Sequence, residues 1–213
     1  MTNKTVYILN GPACAGKRIW GLILRAMLSV PIVNVGNLLR DAQNLGLLSQ
    51  QISDAMDAGY LLDSDAIWAF LQPALNKVNG QSFILDGYPR KPEQVEKIIN
   101  WCSDNGYAIR YLLLEQSREK TAFRVNIRQK AGTNLVIRKD DAPESVAVRY
   151  NEFEKYTRSV GDMFKENPPK DFAMVTLDIN QIELVSKFLV EIFDTRTNDA
   201  IERIQDETAN FTA

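Results

Sequence analysis

Histidine is absent from the 213 residues of this chain, and cysteine occurs only twice, as Cys14 and Cys102. Zinc sites usually combine several histidine and cysteine ligands at short spacing, so a zinc site of that type is excluded. Two cysteines also cannot form a disulfide framework. Any metal that the protein uses must therefore be held by oxygen ligands.

The sequence also lacks a basic excess and a long apolar segment. Its 25 Lys and Arg residues face 27 Asp and Glu residues, a balance that argues against a non-specific nucleic-acid binder. No apolar segment approaches the roughly 18 residues of a membrane span, and the first residues show no signal-peptide pattern. We therefore expect a cytoplasmic monomer that binds neither nucleic acid nor membrane.

Short apolar segments rich in β-forming residues alternate with segments of helical spacing. The apolar segments are residues 5–9, 31–34, 82–85, 110–114 and 172–177. This alternation predicts an α/β fold, a five-stranded parallel sheet with helices on both faces. The length favours a single domain, residues 1–213.

Capping residues and helical spacing predict where the helices lie. Ser49 and Gly59 bracket a helix over residues 50–58, Ser64 opens one that closes near Gly80, and Pro92 stands in the first turn of another. Further helices are predicted over 117–129, 143–165 and 180–195. The polar tail, residues 196–213, is expected to be frayed or disordered.

A glycine-bearing loop follows the first predicted strand. Its sequence is Gly11-Pro12-Ala13-Cys14-Ala15-Gly16-Lys17, with the spacing Gly-x4-Gly-Lys, and an apolar helix follows it. Backbone N–H groups in such a turn and at the helix N-terminus form an anion site, and the lysine reaches the outer phosphates of a nucleotide. A chance match is the alternative, which the position after the first strand disfavours.

A carboxylate, Asp86, ends the strand predicted over residues 82–85. Ligands of open α/β proteins bind at the carboxyl ends of the strands, where this side chain could orient Mg²⁺ through water. The alternative is a simple turn aspartate before Gly87. The phosphate-binding loop upstream favours the magnesium interpretation.

Four arginines, Arg124, Arg128, Arg138 and Arg149, follow in the second half of the chain. Arg124 and Arg128 are four residues apart and share a helix face. Phosphoryl transfer depends on positioning and charge neutralisation, for which guanidinium groups are suited. A solvated helix face is the alternative.

Together these segments resemble the adenylate kinase family of nucleoside monophosphate kinases, from Thr5 to about Phe193. The loop is similar to the family's Gly-x-Pro-Gly-x-Gly-Lys-Gly-Thr, and residues 36–40 resemble Gly-Asp-x-Leu-Arg. Residues 56–59 resemble Met-Asp-x-Gly, and residues 86–90 with Gln94 resemble Asp-Gly-Phe/Tyr-Pro-Arg with its glutamine. Residues 138–141 resemble Arg-x-Asp-Asp.

The resemblance implies Mg²⁺-dependent transfer of a phosphoryl group from ATP to AMP, an insertion at residues 34–65 that binds the monophosphate, and a short lid at residues 128–139. The implied catalytic residues are Lys17, Arg128, Arg138 and Arg149. The implied ATP site comprises Gly11, Ala13, Cys14, Ala15, Gly16, Lys17, Arg18, Ile19 and Arg124. The implied AMP site comprises Val35, Arg40, Met56, Leu61, Leu62, Gly87, Arg90 and Gln94. Asp86 would hold the metal through water.

Departures from the family pattern leave two other functions open. Cys14 and Arg18 replace glycines of the loop, and Ile19 replaces the threonine whose hydroxyl would meet Mg²⁺ and phosphate. A Cβ at position 14 costs about 1 kcal/mol if the loop requires a positive φ there. The alternatives are a catalytically impaired homologue that binds nucleotide as a sensor or structural partner, and a kinase for another small phosphorylated acceptor.

Overall fold

A computed structural model describes residues 4–130, 142–169 and 171–178, without the side chains of 127–130. Its sheet has five parallel strands in the order β2-β3-β1-β4-β5. The strands are β1 Lys4–Asn10, β2 Ile32–Asn34, β3 Phe83–Asp86, β4 Tyr107–Glu115 and β5 Phe172–Asp178. The predicted five-stranded parallel α/β fold is confirmed.

Eight α-helices connect and cover the strands in the described residues. They are α1 Lys17–Leu28, α2 Val35–Asn44, α3 Gln50–Ala58, α4 Ser64–Val78, α5 Pro92–Asp104, α6 Arg118–Lys130, α7 Pro143–Glu152 and α8 Arg158–Glu166. The hydroxyl of Ser49 accepts from the N–H of Ile52, and Gly59 ends α3 with a φ of 92°, as the capping pattern predicts. The predicted helix over 180–195 and the polar tail lie outside the described residues.

The segment predicted as one helix over 143–165 contains a π-helical turn. The turn, Phe153–Thr157, lies between α7 and α8. It inserts into an otherwise continuous helix and rotates the residues that follow it, and such turns are frequent at functional sites. Here it brings the hydroxyl of Thr157 to 3.2 Å from the carbonyl oxygen of Arg90, to which it donates.

Both faces of the sheet are covered, which explains the nearly continuous apolar strands. Successive side chains of a strand point to opposite faces, so Phe83 and Leu85 pack on one side and Ile84 on the other. Helices α4, α5 and α8 cover the first side, and α1 covers the second. No helix of the described ranges is long and apolar enough to cross a membrane.

An aromatic cluster closes the amino-terminal edge of the sheet. Phe83 lies edge-on to Trp101 and Tyr107, with ring centroids 6.0 and 5.6 Å away, and Trp101 stacks on Tyr107 at 5.2 Å. The first residues of β1, β3 and β4 meet here, since Val6 pairs with Phe83 and Lys4 with Tyr107. The carboxyl ends of the strands therefore lie at the opposite edge.

Candidate active site

A cavity of about 900 Å³ opens at the carboxyl edge of the sheet. Its walls are the phosphate loop (residues 11–16), the first turns of α1 and α2, residues 56–62, residues 86–90 and α7. Register brings these segments together, because Asp86 at the end of β3 pairs with Leu9 on one side and Asn34 on the other. Every predicted ATP-site residue lines this cavity.

Three positions of the phosphate loop are restricted, one by the space around it and two by their backbone angles. A Cβ on Gly11 would lie 2.8 Å from the carbonyl oxygen of Leu114, so only glycine fits there. Gly16, the N-cap residue of α1, has a φ of 80° and no side chain to cap the helix, which leaves N–H groups of the first turn for a ligand. Cys14 has a φ of 56°, so this thiol occupies a position that favours glycine, at a cost of about 1 kcal/mol.

Lys17 folds back onto the loop. Its Nζ donates to the carbonyl oxygens of Gly11 at 2.7 Å and of Pro12 at 2.6 Å. Burial, followed by the positive charge of Arg90, lowers the pKa of Lys17 to about 7, while Asp86 acts in the opposite direction. A bound phosphate would compete with the two carbonyl oxygens for this ammonium group.

The residues that depart from the family's loop pattern lie at the mouth of the cavity. Arg18 is exposed, and 65% of Ile19 is exposed to solvent although it lines the opening. Arg124 of α6 lies over the loop, and its Nη1 donates to the carbonyl oxygen of Cys14 at 3.4 Å. A guanidinium group therefore lies at the loop, and an exposed apolar side chain stands where the family's pattern has a hydroxyl.

The part of the cavity predicted to bind the monophosphate contains Arg40 and Arg90, each lying against a glycine. A Cβ on Gly36 would lie 3.2 Å from Nη2 of Arg40, and a Cβ on Gly87 would lie 2.8 Å from Nη2 of Arg90. The backbone of Arg90 is fixed as well, since its N–H donates to Gln94 at 2.7 Å and its carbonyl accepts from Thr157. The remaining residues of the predicted AMP site that line the cavity are Val35, Met56, Leu61, Leu62 and Gly87.

Gln94 does not line the cavity. Only 1% of the residue is exposed, and its Oε1 accepts from the N–H groups of Arg90 and Lys91, at 2.7 and 3.2 Å. Its Nε2 donates to the hydroxyl of Ser64 at 3.2 Å. The geometry assigns Gln94 to the start of α5 and to the backbone of Arg90, and its contact with adenine stays a prediction.

Asp86 is buried, with 6% of its surface exposed, and its Oδ2 accepts a hydrogen bond from Nδ2 of Asn34. No group of three or more acidic, cysteine or histidine residues that could hold a metal occurs in the part of the chain that the structure describes. Mg²⁺ in kinases binds through one or two carboxylates, water and substrate phosphates, so a single carboxylate beside the phosphate loop suits it. Asp86 would hold the ion through water, and the bound ion would supply charge neutralisation.

Arg149 projects from α7 into the same cavity. A Cβ on Gly59 would lie 2.9 Å from its Cγ and 2.5 Å from the carbonyl oxygen of Ser145, so the end of α3 packs closely on α7. Arg128 lies in α6 with its side chain among those not described, and Arg138 lies outside the described residues. The roles of these arginines and of the lid at 128–139 therefore stay predictions.

Sequence reasoning missed several polar residues of the cavity, among them Asn34, Glu152 and Thr157. Glu152 follows Arg149 by three residues on one helix face, a spacing that could have revealed it. Its Oε2 accepts from the N–H of Leu61 at 3.1 Å. Thr157 reaches the cavity through the π-helical turn, for which the sequence has no pattern.

Strand order, phosphate loop and cavity define an α/β kinase fold of the phosphate-loop type. The model of the adenylate kinase family matches residues 9–168. The chain is 26% identical to the adenylate kinase of Caldanaerobacter subterraneus subsp. tengcongensis over 203 residues, covering 82% of this chain and 89% of the relative. It is 31% identical to the adenylate kinase of Anaeromyxobacter sp. (strain Fw109-5) over 174 residues, covering 70% and 81%. This chain belongs to the adenylate kinase family, and membership supports a nucleotide-binding kinase.

Proposed function

We propose that the protein is an adenylate kinase that transfers the γ-phosphoryl group of ATP to AMP and forms two molecules of ADP. One observation carries the proposal. Lys17, Asp86, Arg40 and Arg90 line a single cavity, so a triphosphate on the loop and a monophosphate at the two arginines would meet inside it. Relatives that bear the name adenylate kinase support this assignment.

In the proposed reaction an oxygen of the AMP phosphate attacks the γ-phosphorus of ATP, and the bond to the oxygen that bridges the β- and γ-phosphorus breaks. Catalysis of this kind consists of positioning and charge stabilisation. Arg40 and Arg90 hold the attacking phosphate, and Arg149 and Lys17 neutralise charge on the transferred group. Lys17 leaves the carbonyl oxygens of Gly11 and Pro12 to bind the triphosphate. Mg²⁺ held through Asp86 adds charge neutralisation when bound.

A catalytically impaired nucleotide-binding protein is the second candidate. The observations in its favour are the left-handed backbone of Cys14 and the apolar, exposed Ile19 where the family has a hydroxyl. The retained lysine, aspartate and arginines favour the enzyme, because binding alone does not require charge on both sides of the transferred group. A kinase for another small phosphorylated acceptor is the third candidate.

A coupled assay of ADP formation with ATP, AMP and Mg²⁺ distinguishes the candidates. We expect ADP formation that Lys17→Met abolishes and that Lys77→Met, a matched change at an exposed position on α4, leaves unchanged. ATP binding without ADP formation would favour the impaired homologue. Turnover with another monophosphate in place of AMP would favour the third candidate.

The predicted cytoplasmic monomer also belongs to this proposal. Light scattering coupled to size-exclusion chromatography measures the mass in solution, against 24.1 kDa for one chain. Twice that mass at micromolar concentration would contradict the monomer.

A further inference from the structure

Asn34 lies where β2 ends and α2 begins, and its side chain uses both of its polar groups. Its Oδ1 accepts from the N–H of Asn37 at 2.7 Å, which caps α2. Its Nδ2 donates to Oδ2 of Asp86, the neighbouring residue across the β2–β3 pair. One amide therefore connects a helix start to the carboxylate at the triphosphate end of the cavity.

The orientation of this amide is determined by its partners. The opposite orientation would place its oxygen against the carboxylate of Asp86 and its NH₂ against the N–H of Asn37. Both contacts would be repulsive, because a carboxylate accepts only and a backbone N–H donates only. Parallel pairing of Asn34 with Asp86 fixes the separation of the two side chains.

The hydrogen-bonded chain continues to the monophosphate end. Oδ1 of Asn37 accepts from Nη2 of Arg40 at 2.7 Å. Gly36 leaves the space for this arrangement, since a Cβ there would lie 3.2 Å from Nη2 of Arg40 and 3.4 Å from Oδ1 of Asn34. Asp86, Asn34, Asn37 and Arg40 thus form one continuous connection between the two ends of the cavity.

Among the residues that cap helices well, asparagine alone serves both partners of Asn34. Aspartate caps a helix equally well but would oppose the charge of Asp86. Serine also caps, but its shorter side chain ends one atom earlier and does not reach the carboxylate. The residue type at position 34 is therefore explained by Asp86 and not by the helix alone.

We propose that Asn34 is a positioning residue that couples the two nucleotide sites by linking the orientation of Asp86 to that of Arg40. The proposal rests on the assignment of the cavity to ATP and AMP. When a triphosphate and Mg²⁺ draw Asp86 toward them, the amide of Asn34 and the first turn of α2 follow, and Arg40 moves with that turn. Binding at one site then changes the affinity of the other, as a coupling between sites requires.

Calorimetric titrations with AMP, with and without a saturating non-hydrolysable ATP analogue and Mg²⁺, measure this coupling. Asn34→Ser retains the cap and Asn34→Ala removes cap and donor together. For Asn34→Ser we expect a smaller fall in melting temperature than for Asn34→Ala, because the cap is kept while Asp86 loses its donor. We also expect a loss of the effect of analogue and Mg²⁺ on the AMP dissociation constant. The factor by which Mg²⁺ strengthens analogue binding should fall about tenfold. This is the scale of a lost hydrogen bond to a charged group.

Ser49→Ala is the matched control, because it removes the cap of α3 without touching the cavity. It should lower the melting temperature as Asn34→Ala does and leave the coupling intact. Coupling that persists in Asn34→Ser, or a parent protein that shows none, would overturn the proposal. These titrations need no turnover. Absence of ADP formation would contradict the proposed function, whereas the coupling is tested separately by the AMP dissociation constants.

Discussion

Gly87 lies directly against the guanidinium of Arg90, with a φ of 87° and 2.8 Å between an added Cβ and Nη2. The residue that follows Asp86 therefore determines where Arg90, the proposed phosphate-binding arginine, can lie. We expect Gly87→Ala to displace Arg90 and to weaken AMP binding about tenfold or more, as loss of one charge-assisted contact does.

Gly80→Ala provides the control for Gly87→Ala. Gly80 has a φ of 99°, but an added Cβ would meet nothing within 4 Å. Both variants carry backbone strain of about 1 kcal/mol or more, and only one moves an arginine. Calorimetry measures AMP binding to both variants. An equal loss of AMP affinity in the two variants would show that backbone strain, and not displacement of Arg90, causes the loss.

Arg90→Ala should weaken the binding of AMP by about 1.5 to 3 kcal/mol and barely change the binding of ATP. Titrations of the variant with each nucleotide measure both effects. An equal loss for ATP and AMP would mean that Arg90 does not belong to the monophosphate end alone. Arg90 also contributes to the lowered pKa of Lys17, so the variant should raise that pKa.

The lowered pKa of Lys17 should make the stability of the nucleotide-free protein depend on pH. Its pKa in the folded protein is about 7, against an ordinary value of 10.5. Between these values the unfolded chain binds more protons, so the Lys17 contribution to the free energy of unfolding rises with pH above about 7. Below pH 7 the cost of holding the charged group is fully present. Urea unfolding from pH 6.5 to 8.5 should show this rise, and Lys17→Met should lack it.

Nucleotide binding should reverse the pKa shift of Lys17. A phosphate beside Nζ favours the charged ammonium, so ATP binding at pH 8 should take up protons. Calorimetry in buffers of different ionisation enthalpy counts those protons. Equal proton uptake by the parent and by Lys17→Met would assign it to another group, and Lys77→Met should match the parent.

The two cysteines should differ in reactivity. Cys102 is 1% exposed, and burial raises its pKa to about 12, whereas Cys14 is partly exposed in the phosphate loop. Iodoacetamide should therefore label Cys14 first, and ATP should protect it. Peptide mapping that finds Cys102 labelled first, or Cys14 unprotected by ATP, would contradict the placement of the loop.

Replacing Arg18 and Ile19 by the residues of the family's pattern should raise the activity. We expect the fixed positive charge of Arg18 to replace part of the role that Mg²⁺ would have, because Ile19 lacks the hydroxyl that would help to hold the metal. Arg18→Gly combined with Ile19→Thr should raise the Mg²⁺-dependent rate about tenfold or more, roughly 1.4 kcal/mol of barrier. Ile23→Thr, on the same helix but outside the cavity, controls for the loss of an exposed apolar side chain. An unchanged rate and an unchanged Mg²⁺ dependence of ATP binding would show that Arg18 acts only as a solvated charge.

The sheet and the helix boundaries could be predicted because each depends on neighbouring residues. Strands buried on both faces are apolar throughout, and Ser49 and Gly59 mark the ends of α3 by their own chemistry. The contact of Asn34 with Asp86 joins residues 52 positions apart and depends on strand register, so no local pattern reveals it. The environment of Gln94 likewise depends on Ser64, thirty positions away.

The aromatic cluster at the amino-terminal edge of the sheet places one tryptophan far from the cavity, so the fluorescence of the tryptophans reports on different parts of the protein. Trp101 stacks there on Tyr107, at the edge opposite the cavity, whereas Trp20 lies in the first turn of α1, 3.8 Å from an added Cβ on Gly16. We therefore expect emission from Trp101 to report the integrity of the core, and emission from Trp20 to respond to occupation of the loop. Trp68 of α4, whose ring centroid lies 6.1 Å from that of Tyr88, contributes to both signals. Replacing Trp20 with Phe leaves a protein whose fluorescence follows unfolding with less contribution from the bound nucleotide.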